Sequence, residues 1–240
     1  MTSAAPVNSE AQPAGYAFFD VDETIVVEKT MFTILHVLGE RFKDLDASGL
    51  IEQLHQLRSL GRERAEVNRH FYKGLAGLPR NEVAAAARSY ICDRIAEDGY
   101  RRFFIRNTIA QLEALRHKGV EPVFVSGSAC DFLEALAEHL EVKHVLATKL
   151  FLSESGHYTG EIAGRCMIGH GKKEAVTEFL AARAMDPALC FGIGDHPSDA
   201  DFISLLGSGA MLTGNAESER LARQHNWTLI DNDWPAKEVA

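Results

Sequence analysis

Hydrophobic residues along this chain gather in short blocks, and three of the blocks stop abruptly at acidic, hydroxyl or glycine residues. Tyr16-Ala17-Phe18-Phe19 runs into Asp20-Val21-Asp22-Glu23-Thr24. Glu121-Pro122-Val123-Phe124-Val125 ends at Ser126-Gly127-Ser128, and Ala188-Leu189-Cys190-Phe191-Gly192-Ile193 ends at Gly194-Asp195. Apolar runs of this length, bounded by polar turn residues, predict strands buried on both faces. The second and third lead into helical patterns. The expected fold is therefore α/β, a Rossmann-like open parallel sheet with its site at the carboxyl ends of the strands.

Between the first two strands the period changes to that of a helix. Met31, Ile34, Leu35, Leu38 and Phe42 share one face, Leu50, Leu54, Leu57 and Leu60 continue the pattern, and Glu82 to Ala96 is rich in alanine. Gly74 to Pro79 breaks the run. So long a stretch exceeds what one crossover needs. Residues 31–102 are expected to form a helical cap inserted between the first and second strand-end motifs, over an α/β core of 15–30 and 103–240. A helix from about Phe103 to His117 returns the chain to that core. Met31 and Phe32 are assigned to packing inside the cap rather than to a membrane or a partner. Residues 1–14, small, polar and proline-containing, read as a disordered tail and not as a signal peptide. Past the second strand, Asp131 to Leu140 and Lys172 to Ala184 are predicted helices. Lys149 to Ile162 alternates around Ser155-Gly156 as a β-hairpin. Phe202 to Leu206, Ala210 to Leu212, Glu217 to Gln224 and Thr228 to Ile230 complete the alternation of helix and strand.

Charge narrows the range of partners. The formal net charge of −9, from 25 basic and 34 acidic side chains, argues against a broad nucleic-acid surface but leaves room for a local basic patch around one small anion. The four cysteines are scattered, without a C-x-x-C pair or zinc spacing, and read as buried free thiols of a cytoplasmic protein. No apolar run approaches the length that spans a bilayer.

The strand ends carry the chemistry. Asp20 and Asp22, two residues apart, start on one side of the chain. A hard cation such as Mg²⁺ takes one or two carboxylates plus substrate phosphate, an ionised carboxylate can attack phosphorus, and a second acid can protonate the leaving alcohol and then activate water. D-x-D by itself is common at solvated strand ends, so the other strand ends weigh heavily. Ser126 and Gly127 offer a hydroxyl and an approachable backbone to phosphate oxygens, while Ser128, with Asp131 three residues on, suits a helix cap. Lys172 or Lys173 can neutralise charge on the nucleophile. Asp195 supplies a further metal carboxylate, and Asp199 a ligand or an orienting neighbour.

FFDVDETIV, VFVSGS, GKKEAV and GIGDHPSDADF, in that order, resemble the four motifs of the haloacid dehalogenase-like superfamily. From Val120 onward the chain is similar to the phosphoserine phosphatase-like subgroup, including GHYTGEI and the GD-x-x-x-D spacing. The resemblance implies a Mg²⁺-dependent phosphatase acting on a small phosphorylated metabolite. Asp20 is the implied nucleophile and metal ligand. Asp22 is the implied general acid/base, with its main-chain carbonyl on the metal. Thr24, Ser126, Gly127 and Lys172 are implied phosphate binders, Asp195 a metal ligand and Asp199 a supporting acid. Lys172 is preferred to Lys173 because apolar residues at +3, +4 and +7 then match the family's helix.

The departures bear on substrate. Where phosphoserine phosphatases carry a Glu for the substrate ammonium, this chain has Lys29, with Glu28 adjacent. Where they carry an Arg for the substrate carboxylate it has Phe71, with Arg69 nearby. Lys29 favours an acidic substrate, and Arg62, Arg64, Arg101 and Arg102 are further cap candidates for its anionic parts. The alternatives are phosphoserine phosphatase itself, a phosphotransferase using the same aspartyl-phosphate, and a catalytically silent binding protein.

Overall fold

The computed structural model describes residues 12–233, apart from the side chains of 98–101. Six strands form one sheet in the order β3-β2-β1-β6-β7-β8, all pairs parallel. They are β1 (Gly15–Phe19), β2 (Val120–Ala129), β3 (His144–Thr148), β6 (Phe191–Gly194), β7 (Ser208–Leu212) and β8 (Thr228–Ile230). The short β4 (Leu150–Leu152) and β5 (Tyr158–Ile162) make the expected hairpin. Alternation along β1 distributes its side chains to both faces. Ala17 and Phe19 join the core shared with α5 (Arg106–His117) and α6 (Cys130–His139). Tyr16 and Phe18 join the opposite core with α7 (His170–Ala181), α8 (Ala200–Ile203) and α9 (Ala216–His225). Burial on both faces explains why these strands read as unbroken apolar runs.

The intervening stretch forms α1 (Thr30–Arg41), α2 (Ala47–Ser59), α3 (Arg64–Lys73) and α4 (Arg80–Arg102). Ile34, Leu35, Leu38, Leu50, Leu54, Val67, Phe71 and Val83 pack into a separate core that reaches Phe132 and Tyr158. The helical stripes are as expected, with one exception: Leu60 lies past the end of α2 and is exposed.

Other readings change as well. β2 runs on through Ser126-Gly127-Ser128 to Ala129, because pairing with β3 continues to Thr148 across an irregularity. Ser128 therefore is no helix cap. Ala129 precedes α6 without a side-chain cap, and the Ser128 hydroxyl bonds to Asp22 instead. Pro187–Leu189 is a single 3₁₀ turn, so β6 starts later than its apolar run. Cys92 is exposed, whereas Cys166 and Cys190 are buried. The predicted tail lies outside the described residues as far as residue 11, and the Ala14 N–H donates to the Gly119 carbonyl. No helix among the described residues is long and apolar enough to cross a membrane.

Candidate active site

β1 and β6 are hydrogen-bonded neighbours, so their carboxyl ends bring Asp20 and Asp195 side by side, and the Asp20 N–H donates to the Ile193 carbonyl. After Asp20 the chain turns sharply, with the N–H groups of Ile25 and Val26 both donating to the Val21 carbonyl. Glu23 within this turn adopts φ +59°, a left-handed conformation uncommon for a side-chain-bearing residue. Past the turn the chain runs beside the residues leading into α5, through bonds from Val27 N–H to Phe103 and from Ile105 N–H to Ile25.

Lys172, in the first turn of α7, extends into the sheet end and is buried. Its Nζ donates to Asp20 Oδ1 and to Asp199 Oδ1, each at 2.7 Å. The Lys173 side chain, one position on and rotated by about 100° around the helix, makes no hydrogen bond or salt bridge among the described residues. Asp199 also accepts from the His196 N–H at 3.2 Å. Burial, and then the charge of Arg64, push the His196 imidazole down to about 4. Held neutral, its Nδ1 accepts from the Ser198 N–H at 3.1 Å. Gly194 sits against this arrangement, and a Cβ there would fall 2.6 Å from Asp199 Oδ2 and Cβ. Gly194→Ala is expected to lower stability by about 1–3 kcal/mol through overpacking. Urea unfolding checks this, and an unchanged midpoint would mean that Asp199 has room to yield.

Carboxylate oxygens of Asp20, Asp195 and Asp199 all lie within 4.8 Å of one another. Burial raises the Asp20 carboxyl to about 6 against the attraction of Lys172, with Asp199 adding to the rise. Asp195 is pushed up to about 9 by burial and then by Asp20, Asp199 and Glu23. On Lys172, burial opposes the charge but Asp199 and Asp20 outweigh it, leaving the ammonium above its usual range. One ammonium among three crowded carboxylates leaves surplus negative charge. A hard divalent cation with oxygen ligands fits that donor set.

The remaining residues take different places. Asp22 Oδ1 accepts from both the N–H and the hydroxyl of Thr30, at 2.6 Å each. Its Oδ2 accepts from Ser128 at 2.7 Å and Ser126 at 3.2 Å. Ser126 thus lies beside Asp22, where its Oγ also receives the Ser128 N–H. Thr24 is fully buried and donates to Asp195 Oδ1 at 3.3 Å, so its hydroxyl faces a carboxylate. Gly127 presents its carbonyl to three donors: Asn68 Nδ2 at 3.2 Å, and the hydroxyls of Tyr72 and Thr148 at 2.8 Å each.

The cavity over these groups has an accessible volume of about 50 Å³ and is lined by Asp20, Asp22, Gly127, Lys172 and Asp195 below, with Lys29, Met31, Arg58, Arg64 and Asn68 contributed from the helical side. Lys29 pairs with Glu23 at 2.9 Å. Glu28 turns away, accepting from Tyr90 at 2.6 Å and Arg94 at 3.3 Å, and Arg69 is exposed and outside the cavity lining. Arg62 pairs with Glu66, Arg102 is exposed, and the Arg101 side chain lies outside the described residues. Arg58 stands outside every motif, although it lines the cavity. Periodicity holds the signal, because Arg58 follows Leu50 and Leu54 at four-residue spacing and so lies on their face of α2, with its own side chain reaching out to an exposed position at the cavity rim.

A family model described as haloacid dehalogenase-like hydrolase matches residues 17–204. The chain is 26% identical over 236 residues to phosphoserine phosphatase SerB1 of Mycobacterium tuberculosis, across 95% of this chain and 75% of that one. It is 24% identical over 243 residues to the inhibition of morphological differentiation protein of Streptomyces azureus, across 96% and 83%. Among solved structures, a Bordetella pertussis Tohama I protein of unknown function superposes with a TM-score of 0.79 at 18% identity, over 92% of this chain and 99% of that one. A substrate-bound phosphoserine phosphatase superposes at 0.64 and 16% identity, over 92% and 94%. At these identities the superpositions establish a shared fold. The family match spans most of the 240 residues and includes all four strand-end and helix-start motifs, and the chain belongs to the haloacid dehalogenase-like hydrolases.

Proposed function

We propose that this protein is a Mg²⁺-dependent phosphatase that hydrolyses a small phosphate monoester through an aspartyl-phosphate on Asp20. The observation that carries this reading is the buried Lys172 bridge between Asp20 and Asp199, set beside Asp195 at adjoining strand ends. Such an arrangement holds one carboxylate oxygen in a fixed direction and stabilises negative charge as it develops.

In the first step a carboxylate oxygen of Asp20 bonds to phosphorus as the ester P–O bond breaks. Asp22 gives its proton to the departing alkoxide. In the second step Asp22 takes a proton from water, whose oxygen attacks the acyl-phosphate and frees Asp20 and inorganic phosphate. Lys172 neutralises the nucleophile and the transferring group throughout, while Ser126 and the main chain at Gly127 meet the phosphate oxygens. Mg²⁺, held by Asp20, Asp195 and the Asp22 main-chain carbonyl with Asp199 in support, would supply the charge neutralisation that three crowded acids and a phosphate dianion require. Thr24 serves this reading as the hydroxyl that fixes Asp195. Residues 31–102 act as the cap that encloses the substrate and excludes bulk water. The setting is cytoplasmic.

Relatives named phosphoserine phosphatase support phosphomonoester chemistry, whereas Lys29 in the ammonium position weighs against phosphoserine as substrate. Phosphate release from a panel of small monoesters tests the class. Release is expected with Mg²⁺ and not with EDTA, and undiminished release in EDTA would remove the metal from the mechanism.

A further inference from the structure

Beside the cavity over the carboxylates lies a second, smaller one of about 40 Å³, which shares Met31, Arg58, Arg64, Asn68 and Ile168 with it as lining. Met31, Phe32, Leu54 and Phe71 give it apolar walls, and Arg58 and Arg64 line both chambers. In a chain of net charge −9, arginines are expected to find acids readily. Most arginines of the helical layer do: Arg41 pairs with Glu82, Arg62 with Glu66, Arg80 with Asp131 and Arg88 with Glu138. Arg58 and Arg64 make no salt bridge among the described residues. Arg64 Nη1 donates only to the Ser198 hydroxyl, at 3.2 Å, and the Arg58 guanidinium lies 5.2 Å from the centroid of Phe32. Burial and the neighbouring charge of Arg64 hold the Arg58 guanidinium below its usual range, with Glu23 opposing. Two like charges thus stand together at the joint between a phosphate-sized chamber and an apolar one. Lys29 adds a third cation to the same wall, although Glu23 already pairs with it. Among the described residues the helices contribute Met31 and Asn68 but no carboxylate to this cavity, and Glu23 is the acid nearest these charges.

We propose that Arg58 and Arg64 bind a second anionic group, a carboxylate or a phosphate, on the compact substrate whose first phosphate meets Asp20, with its carbons lying against Met31 and Phe32. This rests on the phosphatase reading above and specifies its substrate class. Guanidinium groups donate to such an anion through paired N–H bonds, and an anion placed between two unpaired arginines removes their mutual repulsion. The walls exclude an ammonium at that end, since every charged group there is cationic apart from Glu23, which Lys29 occupies.

A three-carbon series tests the inference at fixed length. Propyl phosphate ends in a methyl group, the phosphate ester of 3-hydroxypropionate in a carboxylate, and propane-1,3-diol bisphosphate in a second phosphate. The wild type is expected to show at least tenfold higher kcat/KM for one or both anionic members than for propyl phosphate, carried by KM. The arm with the greater gain identifies the group. In Arg58→Gln and Arg64→Gln the ratio is expected to fall towards one, and Arg58→Lys is expected to retain part of it. Equal kcat/KM across the wild-type series, or a ratio untouched by both glutamine variants, overturns the proposal. Binding of 4-phosphonobutyrate against butylphosphonate, followed by calorimetry in Mg²⁺, separates this from failure of the hydrolase reading. Preferential binding lost in the arginine variants, with no turnover of any ester, retains the subsite and rejects the phosphatase. Equal binding of the two phosphonates rejects the subsite.

Discussion

Asp20→Asn is expected to lower turnover of any accepted phosphate monoester by roughly 10³-fold or more, because the amide keeps the shape of the carboxylate and loses its nucleophilicity. Stability is expected to move the other way or not at all. Burial and neighbouring acids already disfavour the ionised Asp20 carboxyl, as its rise to about 6 records, so a neutral isostere relieves that penalty while weakening the attraction of Lys172 to that for a neutral acceptor. The thermal midpoint of Asp20→Asn in EDTA should therefore be no lower than that of the wild type. A variant that is both inactive and several degrees less stable would point to a damaged fold. An active one would remove Asp20 as nucleophile.

Lys172→Met is expected to fail on both counts. Methionine fills much the same volume but leaves Asp20 and Asp199 without the one ammonium that bonds to them among the described residues, and Asp195 close by. Breaking a buried ion pair by deleting one partner costs about 3–5 kcal/mol. For a chain of this size that corresponds to roughly 6–20 °C in Tm, measured in EDTA. Loss of charge stabilisation should also lower kcat by about 10²–10³-fold. Adding Asp20→Asn to Lys172→Met removes one of the stranded carboxylates, so the double variant should be more stable than Lys172→Met alone, a non-additive result that a double-mutant cycle reads directly. Strict additivity would mean that the two side chains do not interact. The contrasting pair separates the nucleophile from the group that holds it.

The parts of this molecule legible in its sequence are those written in local contrast. β1, β2 and β6 are buried on both faces, so each shows an apolar run ending where the chain reaches the site. Asp20, Asp195 and Ser126 stand at those breaks. The preference for Lys172 over Lys173 rests on the family resemblance of the apolar positions after it, of which Val176 and Phe179 are buried on α7. What was not legible depends on partners distant in the chain. β3 carries no such signal, because it is an edge strand whose first three residues are only half-buried and so lacks the apolar run. The local spacing of Ser128 to Asp131 suggests a cap, but its bond is to Asp22, 106 residues away. Asp131 is in turn engaged by Arg80 and by the Tyr158 hydroxyl. Glu28 and Lys29 are adjacent in sequence yet diverge, one towards Tyr90 and the other towards Glu23. Adjacency could not decide between them, because the turn after Asp20 sets which one faces the cavity.

The three donors on the Gly127 carbonyl bear on how such a chain can be re-engineered. Helical segments of this kind invite transplantation, since they form one insertion with its own apolar core. Asn68 and Tyr72 belong to that insertion, however, and only Thr148 belongs to the sheet. A chimaera carrying a relative's helices would strip a buried peptide oxygen of two of its three partners where β2 lines the cavity. Leaving such a group under-satisfied costs about 1–3 kcal/mol, and it would also release the orientation of the Gly127-Ser128 peptide. Grafts that bring a new substrate preference should therefore carry an amide and a phenol at the Asn68 and Tyr72 positions, whatever else they exchange.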